Sequence, residues 1–135
     1  MENKIVVLLS GGVDSILLAA MAHKEGRLGG CVCIDYGQPA KMKEYSSSLN
    51  WCTRHGIPMW FAYSPLLGMA EMEEEGSTGP RLVPARNAVL LALAVNYAVT
   101  IGATTIWYGA NYDDHTDYPD CRHEFFVLMS AALKA

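Results

Sequence analysis

The run Lys4 to Leu9, KIVVLL, offers almost no polar face, and it breaks off at Ser10-Gly11-Gly12 before a second apolar stretch begins. A strand apolar on both sides has to be covered on both sides, which is the condition of a parallel sheet inside an α/β layer structure. The rest of the chain repeats that demand. Asp14 to about Glu25 has helical spacing, stopped by Gly26 and the Gly29-Gly30 pair. Cys31 to Tyr36 is a second buried strand ending at Gly37, and about Ala40 to His55 is an amphipathic helix closed by Gly56 and Pro58. Met59 to Tyr63 is a third strand. Leu66 to Leu82 is irregular and acidic, either a solvated loop or a lid over a site. Arg86 to about Ile101 is apolar on nearly every face, as a helix packed on both sides would be. Thr104 to Tyr108 is a fourth strand, and Asp120 to Lys134 begins a last helix.

Alternating strands and helices of this kind predict an α/β fold with a parallel sheet and right-handed crossovers. Such sheets bind ligands beyond the C-terminal strand ends, where the strand order reverses. The polar clusters fall at strand ends: Ser10 to Ser15, Asp35 to Gln38, and Gly109 to Arg122.

Composition narrows the function classes. The 135 residues, 51% hydrophobic and 18% charged, are enough for one domain with a real core and argue against disorder. No apolar run reaches the roughly 20 residues that cross a bilayer. The N-terminal apolar run lacks a small-residue cleavage site and reads as a strand, not a leader. A net charge of −4 disfavours general affinity for nucleic acid or anionic membranes. Cys31, Cys33, Cys52 and Cys121 are expected as reduced thiols of a cytoplasmic protein. Cys31-x-Cys33 has no second pair to complete a tetrahedral metal set, so it reads as core.

The turn SGGVDS carries the chemistry. Gly11 and Gly12 have no Cβ to hold a ligand off, and consecutive backbone N–H groups there, with the Ser10 and Ser15 hydroxyls and a helix N-terminus, would hold an anion. Neither the Walker lysine nor the G-x-G-x-x-G spacing is present. Asp14 beside phosphate calls for a cation such as Mg²⁺; the alternative is that it only favours the helix dipole.

Ser10-Gly11-Gly12-Val13-Asp14-Ser15 matches the signature of the PP-loop, N-type ATP pyrophosphatases. The further strings DYGQ (Asp35 to Gln38), VPARN (Val83 to Asn87) and GANYDDHTDYPDCR (Gly109 to Arg122) resemble, in order along nearly the whole chain, the 7-cyano-7-deazaguanine synthase family of queuosine biosynthesis. The resemblance implies an adenine nucleotide alpha hydrolase-like, Rossmann-like three-layer sandwich of the HUP type. It also implies an ATP-dependent ligase that converts 7-carboxy-7-deazaguanine and ammonia to the nitrile through an adenylate and an amide, releasing AMP. Leu8, Leu9, Ser10, Gly11, Gly12, Val13, Asp14 and Ser15 would then bind ATP with Asp35, Tyr36, Gly37 and Arg86. Asn87, Asn111, Asp113, Tyr118, Asp120 and Arg122 would hold the deazaguanine, with Asp14, Ser15 and Arg122 closest to the chemistry and Asp14 on Mg²⁺.

Read without the family, several of these residues have second roles. A carboxylate such as Asp120 can accept two hydrogen bonds from a guanine-like edge, yet after Pro119 it is also a natural helix N-cap. Arg86 and Arg122 suit a phosphate or a substrate carboxylate, or an acidic neighbour. His115 could shuttle a proton or simply lie on a loop, and adenylation needs no thiol, so Cys121 is not required as a nucleophile.

The chain also departs from the family. Pro39-Ala40 stand where a histidine usually follows DYGQ, and the family's four zinc-binding cysteines lie in a continuation that residues 1–135 do not contain. The expectation is one PP-loop domain without the zinc-binding part, either a fragment, a shortened relative or a chain completed by a second polypeptide, and apolar surface left uncovered would favour a homodimer. Two other functions stay open: an amide-forming or conjugating ligase, and a nucleotide-binding module without turnover.

Overall fold

The computed structural model describes residues 3–9, 13–37, 41–65 and 86–109. Four parallel strands run β1 Ile5–Leu9, β2 Leu28–Asp35, β3 Met59–Tyr63 and β4 Thr105–Trp107, in the spatial order β3-β2-β1-β4. Among the described residues three helices accompany them: α1 Val13–Lys24, α2 Lys41–His55 and α3 Arg86–Ile101. The expected loop from Leu66 to Leu82 and the last helix from Asp120 lie outside the described residues.

The apolar run that opens the chain is an inner strand of the sheet, paired on both edges. Ile5, Val6 and Val7 are fully buried. Ile5, Val7 and Leu9 face one side with Cys31, where Ala19 and Ala22 of α1 and Cys52 of α2 cover them. Val6 faces the other side with Val32 and Ile34, under Ala98 of α3. The result is a three-layer sandwich, with α1 and α2 on one face and α3 on the other. Each such side chain removed from water contributes about 1.5–3 kcal/mol, so β1 alone requires both layers. Alanines at the helix contacts let the helix backbones sit close to the sheet.

All three helices end in the same way. Gly26, Gly56 and Gly102 have φ of 72°, 68° and 78°. In each case the glycine N–H and the next residue's N–H return to carbonyls of the last turn: Gly26 N to His23 O and Arg27 N to Ala22 O, then Gly56 N to Thr53 O and Ile57 N to Cys52 O, then Gly102 N to Val99 O and Ala103 N to Ala98 O. This is the Schellman arrangement, and it aims the chain into the following strand.

Two expectations need correction. Gly29-Gly30 does not stop α1; both residues belong to β2, which starts at Leu28. Ile5 is opposite Leu28 but Val6 is opposite Gly30, so Gly29 is the extra residue of a β-bulge. Gly30 is required by packing across the sheet, because a Cβ there would lie 2.5 Å from the Tyr97 hydroxyl oxygen of α3. Tyr97 itself stacks on Trp60 at 5.6 Å, and burial pushes its phenol pKa upward. The second correction concerns α3, whose outward side is open: Val99 is 72% exposed, with Ala92 and Asn96 exposed beside it.

Cys31, Cys33 and Cys52 are buried free thiols. The hydrogen bond from the Cys31 thiol to Cys52, with burial, raises the Cys31 pKa well above its ordinary value, so Cys31 stays a protonated thiol in the core. Ser48 of α2 is fully buried, and its hydroxyl has no hydrogen-bond partner.

Gly30→Ala is expected to lower stability by about 1–3 kcal/mol through overpacking. Combining it with Tyr97→Leu should recover part of that loss in chemical denaturation, and strictly additive effects would show that the two sites do not touch. Ser48→Ala should leave stability unchanged or raise it by up to about 1 kcal/mol, since it removes an unsatisfied buried hydroxyl; a loss of stability in the same assay would reveal a partner for that oxygen.

Candidate active site at the switch in strand order

β1, β2 and β3 are laid down in one direction, and the chain then crosses to the far side of β1 to place β4. The order therefore reverses between β1 and β4, the position at which sheets of this kind bind ligands beyond the C-terminal strand ends. Four chain segments reach that edge. α1 starts there, four residues after Leu9 ends β1. β2 delivers Asp35, Tyr36 and Gly37. β4 delivers Tyr108 and Gly109. α3 must also begin at this edge, because its other end feeds the start of β4 and it spans about 24 Å for 16 residues.

Asp14 sits in the first turn of α1 with an exposed side chain. A Cβ on Gly109 would lie 3.7 Å from the Asp14 Cβ and 4.0 Å from Leu18 Cδ1. The end of β4 thus passes directly beside the opening turn of α1, and the absent side chain at Gly109 leaves the Asp14 carboxylate uncovered on that side. Sequence reasoning singled out Asp14 but not this neighbour. The signal was the glycine that opens GANYDDHTDYPDCR, yet its partner is 95 positions away in the chain. Ser15, next to Asp14, is only 5% exposed and has polar partners. Leu9 is buried and Leu8 half-buried at the end of β1.

At the end of β2 the chain turns sharply. Asp35 Oδ1 accepts a 2.9 Å hydrogen bond from the Gly37 N–H, an Asx turn that the Gly37 φ of 97° completes. The Asp35 carbonyl accepts a second bond, 2.8 Å, from the Ser64 N–H just past β3. Asp35 therefore holds the shape of this rim with both its side chain and its backbone, and Tyr36 is buried against it at 9% exposure.

Of the other residues singled out from the sequence, Val13 opens α1 and Arg86 and Asn87 open α3, which brings their backbones to the same edge. Ser10, Gly11, Gly12, Asn111, Asp113, Tyr118, Asp120 and Arg122 lie outside the described residues. Chemically, the described part of the edge combines a helix N-terminus, which favours an anion, with an exposed carboxylate, which favours a cation. Among the described residues no group of three or more His, Cys, Asp or Glu comes together as a metal cage, and no helix is long and apolar enough to cross a membrane.

Comparison with known proteins agrees with this architecture. The solved structure of NH3-dependent NAD synthetase from Campylobacter jejuni, in complex with the nitrate ion, superposes with a TM-score of 0.55. The match covers 82% of this chain and 48% of that one at 15% identity, which speaks to the fold alone. Among curated relatives, the 7-cyano-7-deazaguanine synthase of Marinobacter nauticus is 35% identical over 148 residues, covering 99% of this chain and 66% of the relative. That of Alteromonas mediterranea is 37% identical over 144 residues, covering 96% and 66%. The synthase 2 of Colwellia psychrerythraea is 38% identical over 150 residues, covering 98% and 67%. The chain spans about two thirds of the length of these relatives. The family model for the queuosine biosynthesis protein QueC matches residues 4–135, and the chain belongs to that family.

Proposed function

We propose that this chain carries the ATP-activating machinery for synthesis of 7-cyano-7-deazaguanine from 7-carboxy-7-deazaguanine and ammonia. The observation that supports this most is the meeting of Asp14 with Gly109 at the switch in strand order, in a chain of the QueC family whose relatives are named for that product. ATP lies along the SGGVDS turn, with its pyrophosphate toward the N–H groups of Ser10 to Val13 and the Ser15 hydroxyl. Asp35, Tyr36 and Gly37 form the neighbouring rim, and Arg86 comes from the start of α3.

Mg²⁺ fits the donors present. It is held through one or two carboxylates plus substrate phosphates and keeps several waters, so it needs no all-protein cage. Asp14 is the carboxylate at the right place, and the ion would supply charge neutralisation on the leaving pyrophosphate. The substrate carboxylate attacks the α-phosphorus, and pyrophosphate departs. Ammonia then adds to the acyl adenylate, releasing AMP and giving the amide. The amide oxygen then attacks the α-phosphorus of a second ATP, releasing pyrophosphate, and departure of that oxygen in AMP with loss of both N–H protons leaves the nitrile. The protein's own contribution is position: fixed backbone dipoles at the phosphates and a pocket that keeps water from the adenylate. Asp120 and Arg122, with Asn87, Asn111, Asp113 and Tyr118, are assigned to the deazaguanine. The reading extends to a cytoplasmic enzyme that works as a homodimer or with a completing polypeptide.

Incubating the protein with 7-carboxy-7-deazaguanine, ammonium, Mg²⁺ and ATP should give AMP and the nitrile by mass spectrometry. Amide or conjugate as the end product would move the chain to a different ligase, and ATP binding without AMP would remove the catalytic assignment. Asp14→Ala should cut pyrophosphate release by about 100-fold or more while the melting temperature stays at the wild-type value; undiminished turnover would sink the role given to Asp14.

A further inference from the structure

Two histidines outside the proposed chemistry meet at the opposite end of the α1–α2 layer. His23 lies in the last turn of α1 and His55 is the last residue of α2. His23 is roughly 13 Å along α1 from Asp14, at 1.5 Å of rise per residue. The two imidazole centroids are 5.4 Å apart, with ring planes at 77°. Trp51 supports both rings, stacking on His55 at 4.3 Å and meeting His23 edge-on at 6.1 Å. His55 Nδ1 is 2.8 Å from the Trp51 carbonyl oxygen. A carbonyl only accepts, so Nδ1 carries the proton, and in the neutral ring Nε2 keeps its lone pair.

From this geometry we propose that His23 and His55 form a two-imidazole site for a borderline divalent transition-metal ion of the Zn²⁺, Ni²⁺ or Cu²⁺ class. A ring N–H held by a backbone carbonyl is how metal-binding histidines are oriented. The separation is also the right one. A metal–nitrogen bond of about 2.05 Å plus about 1.15 Å from nitrogen to ring centre puts each centroid about 3.2 Å from the ion, and two such rings at the tetrahedral angle lie about 5.2 Å apart. The observed centroid separation of 5.4 Å matches that spacing. Both histidines are exposed, so water can fill the remaining positions. Both sit at helix C-termini, whose carbonyl ends favour a cation. Lys24 and Arg54, beside them in sequence, oppose it, and Glu25 is occupied with Arg27 at 3.4 Å. With two protein ligands the site is an exchangeable clamp that ties the end of α1 to the end of α2, not a catalytic centre.

The test is titration of the full chain with NiCl₂, read by tryptophan fluorescence, and with ZnCl₂, read by calorimetry and by melting temperature. One ion per chain, quenched fluorescence and a raised melting temperature are expected. His23→Gln and His55→Gln should each weaken binding at least tenfold while melting like the wild type without metal. Trp51→Phe should bind but lose most of the quenching, and the double variant His115→Gln/His123→Gln should bind as wild type. The proposal is overturned if the wild type binds no ion, if either single variant binds undiminished, or if the double variant abolishes binding.

Discussion

The whole arrangement depends on β1 having no side that tolerates water. Ile5, Val6 and Val7 point alternately to the two faces and all three are fully buried. One helical layer cannot cover them, so the chain must build on both faces of the sheet and pair both edges of the strand. Crossing back over β1 to add β4 meets that demand, and the same crossing creates the reversal in strand order. The candidate active site is thus a by-product of covering β1. Gly109, two residues past β4, is brought to the first turn of α1 because β4 pairs with β1 from Ile5 to Val7.

Glycines outside the nucleotide turn do different jobs in this frame. Gly26, Gly56 and Gly102 turn helices into strands by satisfying last-turn carbonyls. Gly29 and Gly30 allow β2 to bulge and α3 to press Tyr97 against it. Gly109 clears space beside Asp14. Their functions are set by what lies opposite each of them, a property that no local spacing encodes. The same holds for the cysteines: Cys31 and Cys52 come from a strand and a helix 21 positions apart, and their contact in the apolar layer makes them structural thiols.

The two ends of the α1–α2 layer carry opposite electrostatic characters. At one end the N-terminus of α1 lies at the edge where the phosphates of ATP are assigned. At the other, the C-terminal ends of α1 and α2 carry His23, Trp51 and His55. The helix dipoles thus favour anions at the switch point and cations at the far end, which separates the proposed chemistry from the proposed metal clamp by most of the length of α1.

Much of this was legible in the residues themselves. The run KIVVLL and its successors announced a parallel α/β sheet, since a strand apolar on both faces has few other homes. SGGVDS, DYGQ and YPDCR named a family that comparison then supported, and the third strand and α3 begin and end where the periodicity puts them. Local pattern determines element type and, through motifs, chemical class, because both are written in neighbouring positions. Tertiary structure alone decided that Gly29-Gly30 belongs to a strand, that α3 leaves Val99 in water, that Gly109 stands against Asp14 and that His23 meets His55. Each of these is a contact or exposure between residues far apart in the chain, and only the order in which the strands are laid down determines which of them become neighbours.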